Sequence, residues 1–290
     1  MQQRSIGNDT VGRVSVGAIG LGAMPLSTKE PRPSPTDAEA VVHAALDAGV
    51  TLIDTADAYC LGGDEAGHNE RLIRKALDAW PGDRDRVLVA TKGGHTREGG
   101  EWNLDGRPEH LRQACEASLR ALGVEAIGLY QFHRPDPKVP FAESVGAMAE
   151  LKAAGKVRLV GLSNVSVDQI RQARELVEVA SVQNEFSPRF RRSEGELAWC
   201  AANRIAFLPW SPLGGIGRGG SLGQGRHRAF AEVADAHGVS PQQVALAWQL
   251  AKAPVVIPIP GPSRPETILD SAAAVSLRLS ADELARLDRV

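Results

Sequence analysis

Short apolar runs and longer amphipathic stretches alternate along the whole chain. Apolar or β-branched runs of this length are too short for helices and predict strands. They cover residues 17–22 (GAIGLG), 51–54 (TLID), 87–92 (VLVATK), 127–133, 157–164, 181–185, 205–211 and 255–261. The stretches between them repeat apolar residues at helical spacing, and several begin with Pro, Ser or Asp and end with Gly. These predicted helices include residues 37–49, 69–80, 108–123, 143–155 and 167–178.

This alternation predicts the fold class. Strands that alternate with helices form parallel βαβ units, and eight such units in a chain of 290 residues predict an α/β structure, a single (β/α)₈ TIM barrel over residues 1–290. Residues 4–20 alternate on both sides of GNDTVG and predict an N-terminal β-hairpin that closes the bottom of the barrel. Residues 280–290 predict an extra C-terminal helix, with Ser280 as N-cap and Glu283 completing a capping box.

Composition narrows the classes of function. The hydrophobic share of 43% suffices for a large core, and the net charge of −2 offers no basic excess for nucleic acid. Cys60, Cys115 and Cys200 are far apart and odd in number, which is typical of a reducing compartment. Without a leader or an apolar run of about 20 residues, we expect a cytoplasmic protein with no membrane partner. The oligomeric state stays open.

Reactive side chains stand at the ends of successive predicted strands. Asp54 and Tyr59 follow the second strand, Lys92 ends the third and His133 ends the fourth. Active sites of such barrels are built from the carboxyl ends of the strands and the loops that follow them. The four side chains are therefore expected to share one site.

The chemistry of these four groups indicates proton transfer to a carbonyl. A tyrosine has a pKa of about 10, and we expect the ammonium of Lys92 to lower it while Asp54 keeps Lys92 charged. Tyr59 would donate a proton to a substrate oxygen that His133 also hydrogen-bonds. The other half of a reduction is hydride transfer, which no side chain performs, so a nicotinamide cofactor is implied.

Motifs along nearly the whole chain resemble one family. LIDTADAY, GHNERLIRKAL, VLVATKGG, YQFHRPDP, GLSNVSVDQI, SVQNEFSP, PWSPLGG and VIPIPGPSRPE are similar to aldo-keto reductase motifs in order and spacing, from about Gly17 to Ser271. The resemblance implies a (β/α)₈ barrel that binds NADPH in an extended pose and reduces aldehydes and ketones to alcohols. It places Asp54, Tyr59, Lys92 and His133 at the positions of the catalytic tetrad. A small carbonyl compound is the implied partner.

The resemblance also implies how the cofactor is held. Ser163, Asn164 and Gln183 would bind the nicotinamide carboxamide, Trp210 would stack on the ring, and backbone groups near Ser211 would meet the pyrophosphate. Ser263 and Arg264 would hold the 2′-phosphate, which favours NADPH over NADH. The full implied set is Gly22, Ala23, Met24, Asp54, Ser163, Asn164, Gln183, Trp210, Ser211, Pro212, Leu213, Gly215, Gly261, Ser263, Arg264 and Asp270. The family often has Glu-Asn where this chain has Asp270 and Ser271, so weaker or replaced adenine contacts are expected.

We assign no separate binding site to two further patterns in the sequence. Residues 215–220 (GIGRGG) match the dinucleotide fingerprint, but Asp235, about 20 residues on, falls in a predicted helix and not at a strand end. We expect a flexible loop over the cofactor there. No metal site is expected, because the remaining histidines lack ligand spacing and suit surface or helix-end roles. They are His43, His68, His95, His110, His227 and His237.

The substrate pocket is predicted only in outline. Its walls would come from Met24, Pro25 and Trp102, the last within the loop 93–106, beside Tyr59 and His133. An open pocket with tryptophans suggests small aldehydes or aromatic carbonyls.

Two other functions stay open. An NADPH-binding regulatory subunit would keep the cofactor site with little turnover. A barrel lyase or isomerase would use Lys92 for a Schiff base and the loop after strand eight for a substrate phosphate.

Overall fold

The computed structural model describes residues 1–8, 10, 12–28, 30–215, 217 and 219–290. Its strands are β1 (Gln3–Asn8), β2 (Gly12–Gly17), β3 (Leu21–Gly22), β4 (Leu52–Asp54), β5 (Leu88–Gly93), β6 (His95–Thr96), β7 (Asn103–Leu104), β8 (Ile127–Phe132), β9 (Val157–Ser163), β10 (Val179–Gln183) and β11 (Ala206–Phe207). Its α-helices are α1 (Pro35–Asp47), α2 (His68–Ala79), α3 (Pro108–Leu122), α4 (Phe141–Ala153), α5 (Val167–Arg174), α6 (Glu194–Asn203), α7 (Arg228–His237), α8 (Pro241–Lys252), α9 (Pro265–Ala273) and α10 (Ala281–Asp288). Short 3₁₀ turns span Met24–Leu26, Gly63–Glu65, Arg84–Arg86, Glu98–Gly100, Gly219–Ser221, Gly225–His227 and Ala274–Ser276.

The barrel wall is a parallel sheet in the order β11-β10-β9-β8-β5-β4-β3. Residues 255–261 take the place of the predicted eighth strand and close the barrel through backbone hydrogen bonds on both sides. Ile257 N donates to Phe207 O at 2.9 Å, and Gly20 N donates to Pro258 O at 2.9 Å. The pairing is irregular because Pro258 and Pro260 have no N–H to donate. The predicted barrel is confirmed.

The predicted hairpin is also confirmed. β1 and β2 pair antiparallel, with Ile6 opposite Val14, while Asp9 and Val11 of its turn lie outside the described residues. Ile6 and Val16 are buried in one cluster with inward residues of the barrel strands. Their apolar side chains therefore plug the bottom of the barrel.

Several predicted boundaries shift. The predicted strand 205–211 reduces to Ala206–Phe207, because Pro209 interrupts the backbone ladder beyond it. The predicted strand 181–185 begins earlier, at Val179, and the predicted helix 167–178 ends at Arg174. At the C-terminus the predicted capping box is present: Ser280 N donates to Glu283 Oε2 at 2.7 Å.

The helices of the described chain pack outside the sheet, so the carboxyl ends of the parallel strands share one open rim. None of these helices has both the length and the apolar character needed to cross a membrane.

Candidate active site

A buried ion pair joins the ends of β4 and β5. The apolar run Leu52–Ile53 carries Asp54 to the rim, where Lys92 Nζ donates to Asp54 Oδ2 at 2.6 Å. Lys92 is fully buried and Asp54 is 1% exposed. Lys92 Nζ also donates to Thr55 O at 2.9 Å and to Tyr59 Oη at 2.9 Å. All three ammonium hydrogens are thus used, which is what a buried cation requires.

Two glutamine side chains donate hydrogen bonds to the second carboxylate oxygen of Asp54. Gln183 Nε2 donates to Asp54 Oδ1 at 2.7 Å, and Gln131 Nε2 donates to the same oxygen at 3.1 Å. Gln183, which the resemblance assigns to the nicotinamide, therefore has its amide nitrogen engaged with Asp54. Sequence reasoning missed Gln131. A polar residue inside the apolar strand LYQF is the signal that could have found it.

The contact between Lys92 and Tyr59 fixes the direction of one hydrogen bond. A lysine ammonium has no acceptor, so Tyr59 Oη accepts and the phenol keeps its own hydrogen for another partner. The Tyr59 ring centroid lies 4.7 Å from Lys92 Nζ. Tyr59 is 6% exposed, with its hydroxyl at the inner edge of the rim. The geometry therefore presents an acidic hydrogen that no protein acceptor in the described chain takes up.

Burial decides the protonation of this phenol. Desolvation raises the pKa of Tyr59 above its usual value, and the charge of Lys92 lowers it by less than burial raises it. Lys92 thus lowers the pKa of Tyr59, as expected, but burial outweighs this effect, and sequence alone does not show how completely the ring is desolvated. Burial by itself would lower the pKa of Lys92, but the charge of Asp54 and the hydrogen bonds to Asp54 and Tyr59 raise it overall. At neutral pH the pair is a protonated phenol and a charged ammonium.

His133 stands beside the phenol as a neutral imidazole. Its backbone N donates to Gly93 O at 2.9 Å, and its ring centroid lies 5.8 Å from that of Tyr59. Burial, together with the charge of Lys92, holds the pKa of His133 well below its usual value. Nδ1 is buried and has no hydrogen-bond partner within the described residues. We assign the hydrogen to Nε2, because this leaves only a lone pair unpartnered in the interior.

Two further rings complete an aromatic cluster. The hairpin of β6 and β7 brings the His95 ring to 4.3 Å from His133 and 5.5 Å from Trp102, centroid to centroid. Trp102 lies 6.4 Å from Tyr59 and remains 44% exposed. His95, for which a surface or helix-end role was expected, is partly exposed and also contacts this cluster. Its position in the loop just after Lys92, at the rim of the third barrel strand, is the sequence signal that marks it.

Asn164 links the ends of three barrel strands. It adopts a left-handed backbone with φ of 59°, and its Nδ2 donates to His133 O at 3.0 Å and to Ser163 Oγ at 3.0 Å. Its Oδ1 accepts from Trp210 Nε1 at 3.2 Å. Ser211, next along the chain, is also left-handed, with φ of 50°. The predicted residues Ser163, Asn164, Trp210 and Ser211 are thus brought together on one side of the rim.

The first and eighth strand ends meet closely on the other side. A Cβ at Gly22 would stand 2.7 Å from Ile259 O, and one at Gly261 would stand 2.8 Å from Pro25 Cγ. Only glycine fits these positions without a backbone shift. Ala23 N donates to Asp54 O at 2.9 Å, so this side of the rim, which continues into Met24 and Pro25, adjoins the ion pair.

A recess of about 440 Å³ lies beyond the eighth strand. Its wall includes Arg32, Ser263 and Arg264. The exposed guanidinium of Arg264 makes no hydrogen bond or ion pair within the described residues. It stands at the N-cap position of α9, where both charge and helix dipole favour an anion.

Asp270 and its neighbour are engaged within the fold. Ser240 Oγ donates to Asp270 Oδ2 at 2.7 Å, and Gln243 Nε2 donates to Asp270 Oδ1 at 2.6 Å. Ser271 is buried, and its hydroxyl donates to Thr267 O at 2.9 Å. Both carboxylate oxygens of Asp270 therefore accept hydrogen bonds from the start of α8, and they do not line the recess.

Side-chain hydrogen bonds hold the long loop after β11 to the rest of the fold. Arg189 Nη2 donates to Ser221 O at 2.8 Å, and Gln242 Nε2 donates to Gly219 O at 2.9 Å. Pro212 O accepts from Gln249 Nε2 at 2.8 Å, which anchors the start of the loop near Leu213 and Gly215. Ile216 and Arg218 of GIGRGG lie outside the described residues.

The context of the fingerprint is not that of a dinucleotide fold. Asp235 lies within α7, as expected, and not at the end of a strand. The described residues also hold no cluster of three or more His, Cys, Asp or Glu suited to a metal ion.

Comparison with known proteins adds to this geometry. The model of the Aldo/keto reductase family matches residues 18–290. An uncharacterised oxidoreductase of Schizosaccharomyces pombe is 37% identical over 288 residues, covering 97% of this chain and 89% of that protein. A thermostable aldo-keto reductase solved with the inhibitor epalrestat has a TM-score of 0.84 and 28% identity, covering 100% of this chain and 99% of that one. An aldo-keto reductase of Klebsiella pneumoniae solved with NADPH has a TM-score of 0.80 and 28% identity, over 100% and 95% of the two chains.

Proposed function

Because the chain belongs to the aldo/keto reductase family, and is thus an oxidoreductase, we propose that it reduces small aldehydes and ketones to alcohols with NADPH. The observation that carries this proposal is the bond from Lys92 to Tyr59 Oη, which leaves the phenol hydrogen free to donate. We further propose that residues 1–290 act as one barrel domain.

The tetrad residues have distinct roles in this proposal. Tyr59 donates its proton to the carbonyl oxygen, and the neighbouring ammonium of Lys92 stabilises the phenolate that remains. Asp54 keeps Lys92 charged and aimed at that oxygen, with Gln131 and Gln183 fixing the carboxylate. His133, neutral and with its hydrogen on Nε2, donates to the same substrate oxygen and orients the carbonyl.

NADPH, when bound, supplies the hydride that no side chain provides. The relative from Klebsiella pneumoniae was solved with NADPH, which supports the same cofactor here. Ser163, Asn164 and Trp210 would hold the nicotinamide end. Ser263 and Arg264 would hold the 2′-phosphate, since a guanidinium without a protein partner, in a recess at a helix N-terminus, fits a phosphate dianion.

For the remaining residues of the cofactor set we retain the assignment implied by the resemblance, with two adjustments. Gln183 is assigned to holding Asp54, because its amide nitrogen is already engaged there. Asp270 is assigned to the start of α8 for the same reason.

The geometry argues against the Schiff-base alternative. A Schiff-base lysine must attack as a neutral amine, whereas the pKa of Lys92 is raised and its three hydrogens are all bonded. The regulatory-subunit alternative predicts NADPH binding with little turnover, which the following experiment separates from catalysis.

The test uses the two tyrosines of the chain. Tyr59→Phe should lower kcat for aldehyde reduction by about 10²–10⁴, the contribution of general acid catalysis, and leave the Kd for NADPH nearly unchanged. Tyr130→Phe is the matched control, because Tyr130 is buried outside the site, where its hydroxyl donates to Leu111 O. Normal turnover by Tyr59→Phe would remove Tyr59 from the mechanism. Wild-type binding of NADPH without turnover across a panel of aldehydes and ketones would favour the regulatory subunit.

A further inference from the structure

A second cavity lies beside the loop that carries Tyr59. It has a volume of about 660 Å³ and is enclosed by that loop, by β6 with the residues after it, and by helices α2 and α3. Its wall, as far as the chain is described, includes none of the four tetrad residues. Small side chains leave the space open, and three alanines at helical spacing turn one face of α3 toward it. These small residues are Gly63, Ala66, Gly67, Ala114, Ala117 and Ala121.

One part of the wall carries a buried carboxyl group without a partner. Asp57 is 9% exposed, and its Oδ1 accepts no hydrogen bond from any described residue. Its backbone is fixed, because Asp57 N donates to Lys92 O at 3.3 Å and Gly67 N donates to Asp57 O at 2.7 Å. Burial and the charge of Glu70, which also lines the cavity, raise the pKa of Asp57 well above its usual value. A cationic donor in the cavity would stabilise the charged form of this carboxyl group.

Another part of the wall carries a buried guanidinium. Arg97 is 8% exposed, and its Nη2 donates to Leu61 O at 3.1 Å. Its Nε and Nη1 are buried and have no hydrogen-bond partner in the described part of the chain. The guanidinium lies 4.1 Å from the centroid of the Trp102 indole, a cation–π contact that holds it in place. A guanidinium with two unused nitrogens is suited to a carboxylate ligand.

The two charged groups face one cavity but do not pair with each other. No ion pair within the described residues joins Arg97 to Asp57 or to any other carboxylate. A ligand with a single charge would therefore leave one of these buried groups without a partner, which is costly. A ligand with both charges would satisfy both groups, and an aliphatic chain between its charges would pack on the alanines of α3.

We propose that this cavity binds a small zwitterion, whose ammonium group reaches Asp57 and whose carboxylate reaches Arg97, with a short aliphatic chain between them. The site is distinct from the one that holds the carbonyl substrate. The proposal does not rest on the proposed function, because no step of carbonyl reduction enters it.

The experiment measures binding of ω-amino acids to the full chain by calorimetry in the presence of NADPH. The probes run from 3-aminopropanoate to 6-aminohexanoate, and at least one chain length should bind saturably. The alkylamine and the fatty acid of that chain length each lack one charge. Each should bind roughly 10- to 150-fold more weakly, which is the contribution of one charge-assisted hydrogen bond. This comparison uses wild type and does not depend on the folding of a variant.

Variants place the bound probe in the cavity. Asp57→Asn and Arg97→Met should each raise the Kd of the best ω-amino acid roughly 10-fold or more. Asp64→Asn and Arg74→Met are the matched controls, because both residues are exposed nearby and neither lines the cavity. Both controls should bind the probe as wild type does. Tyr59→Phe, which alters only the carbonyl site, should also bind it normally.

The remaining outcomes each overturn the proposal. If no ω-amino acid binds saturably, or if a probe with one charge binds as tightly as its zwitterionic counterpart, the cavity holds water only or another kind of ligand. Unchanged binding by Asp57→Asn or Arg97→Met would remove that residue, and with it the zwitterion site. Loss of binding in Tyr59→Phe would place the probe at the tetrad. Carbonyl reduction, which is measured separately, stands in every one of these cases.

Discussion

At the scale of single residues, Asp54 is the carboxylate to which the other buried polar side chains of the site are hydrogen-bonded. Its Oδ2 accepts from Lys92, and its Oδ1 accepts from Gln131 and Gln183, so residues of four barrel strands meet at one carboxylate. Both members of the ion pair are almost entirely removed from water. Removing one partner of such a pair leaves an uncompensated buried charge, which costs about 3–5 kcal/mol.

We therefore predict that stability and catalysis respond differently to mutation of the pair. Asp54→Asn and Lys92→Met should each lower the free energy of unfolding by about 3–5 kcal/mol in urea titrations at pH 7. The double variant should regain part of this stability, because neither charge is left alone. Its kcat should stay as low as that of the worse single variant, since the groups act as a unit. Strictly additive losses in kcat would show that the residues do not cooperate.

The ion pair of Asp54 and Lys92 also predicts that its contribution to stability is lost at high pH. Because the pKa of Lys92 is raised in the folded chain, its contribution is fully present below the unfolded lysine pKa of about 10.4. That contribution is lost as pH rises through the still higher folded value. The stability difference between wild type and the double variant should thus hold from pH 7 to 10 and shrink above it. A difference that already shrinks between pH 7 and 9 would contradict a raised pKa.

The sequence predicted Asp54, Tyr59, Lys92 and His133 as neighbours because parallel strands align their carboxyl ends. It did not predict Gln131 or the place of His95, since neither position stands out until the strand register and the path of the hairpin are known. It predicted that Lys92 lowers the pKa of Tyr59, but not that burial raises this pKa by more. Proximity to a charge can be inferred from motif order, but the desolvation that outweighs this charge depends on packing.

At the scale of elements, one ion pair joins two loops over the barrel mouth. Arg32 Nη1 donates to Glu65 Oε1 at 3.0 Å, while Arg32 Nε donates to Ser27 O at 2.8 Å. Leu61 N donates to Glu65 Oε2 at 3.3 Å, in the loop that carries Tyr59. Glu65 therefore joins the loop that carries Tyr59 to the loop that lines the recess.

The hydrogen bonds from Arg32 lower the pKa of Glu65 to about 2, which predicts an acid-sensitive contribution to stability. A lowered carboxyl pKa stabilises the fold above the unfolded value of about 4.3, and this contribution is lost as pH falls toward 2. Because both side chains are partly exposed, Glu65→Gln should cost only about 0.2–1 kcal/mol at pH 7.

Urea titrations at pH 7, 4 and 3 check this prediction, with the exposed Glu125→Gln as control. The difference between wild type and Glu65→Gln should narrow as the pH falls, whereas Glu125→Gln should track wild type throughout. A gap for Glu65→Gln that widens in acid would contradict the lowered pKa.

The elements that sequence placed least well are those with prolines. Pro209, Pro258 and Pro260 break the backbone ladder of the last two barrel segments, so the predicted strands 205–211 and 255–261 are short or irregular. Apolar patterning still placed both segments at the correct points of the barrel order. The apolar pattern indicates which residues are buried. The regularity of the backbone hydrogen bonds depends instead on every N–H group of the segment. The position of each segment was therefore predicted better than the extent of its strand.

At the scale of the whole molecule, the proposed cofactor site draws on elements far apart in the chain. Its nicotinamide end would lie at Ser163, Asn164 and Trp210, which hydrogen bonds bring together, and its phosphate end would lie at Ser263 and Arg264, beside the recess. A ligand that binds only the folded barrel stabilises all of these elements together, by about 2.7 kcal/mol at a concentration 100 times its Kd. Cofactor binding can therefore be measured as an increase in the free energy of unfolding of the whole chain.

Arg264→Ala tests the phosphate end of that site. A charge-assisted contact contributes about 1.5–3 kcal/mol, so the variant should raise the Kd for NADPH roughly 10- to 150-fold and change NADH affinity little. NADPH at 100 times the wild-type Kd should correspondingly stabilise the variant much less than wild type. Fluorescence titration and thermal unfolding with each cofactor measure both effects. Arg158→Ala, at the exposed start of β9 on the opposite end of the barrel, should behave as wild type.

Equal weakening of both cofactors, or of neither, would contradict the assignment of Arg264. Asp270 is bonded at both oxygens to the start of α8, so it leaves the adenosine end free to shift from the position that the resemblance implies. A shifted adenosine would carry the 2′-phosphate toward Arg32, the other guanidinium that lines the recess. Arg32 is paired with Glu65, so a phosphate there would have to compete with that carboxylate. In that case Arg32→Ala would reduce the preference for NADPH, and Arg264→Ala would not.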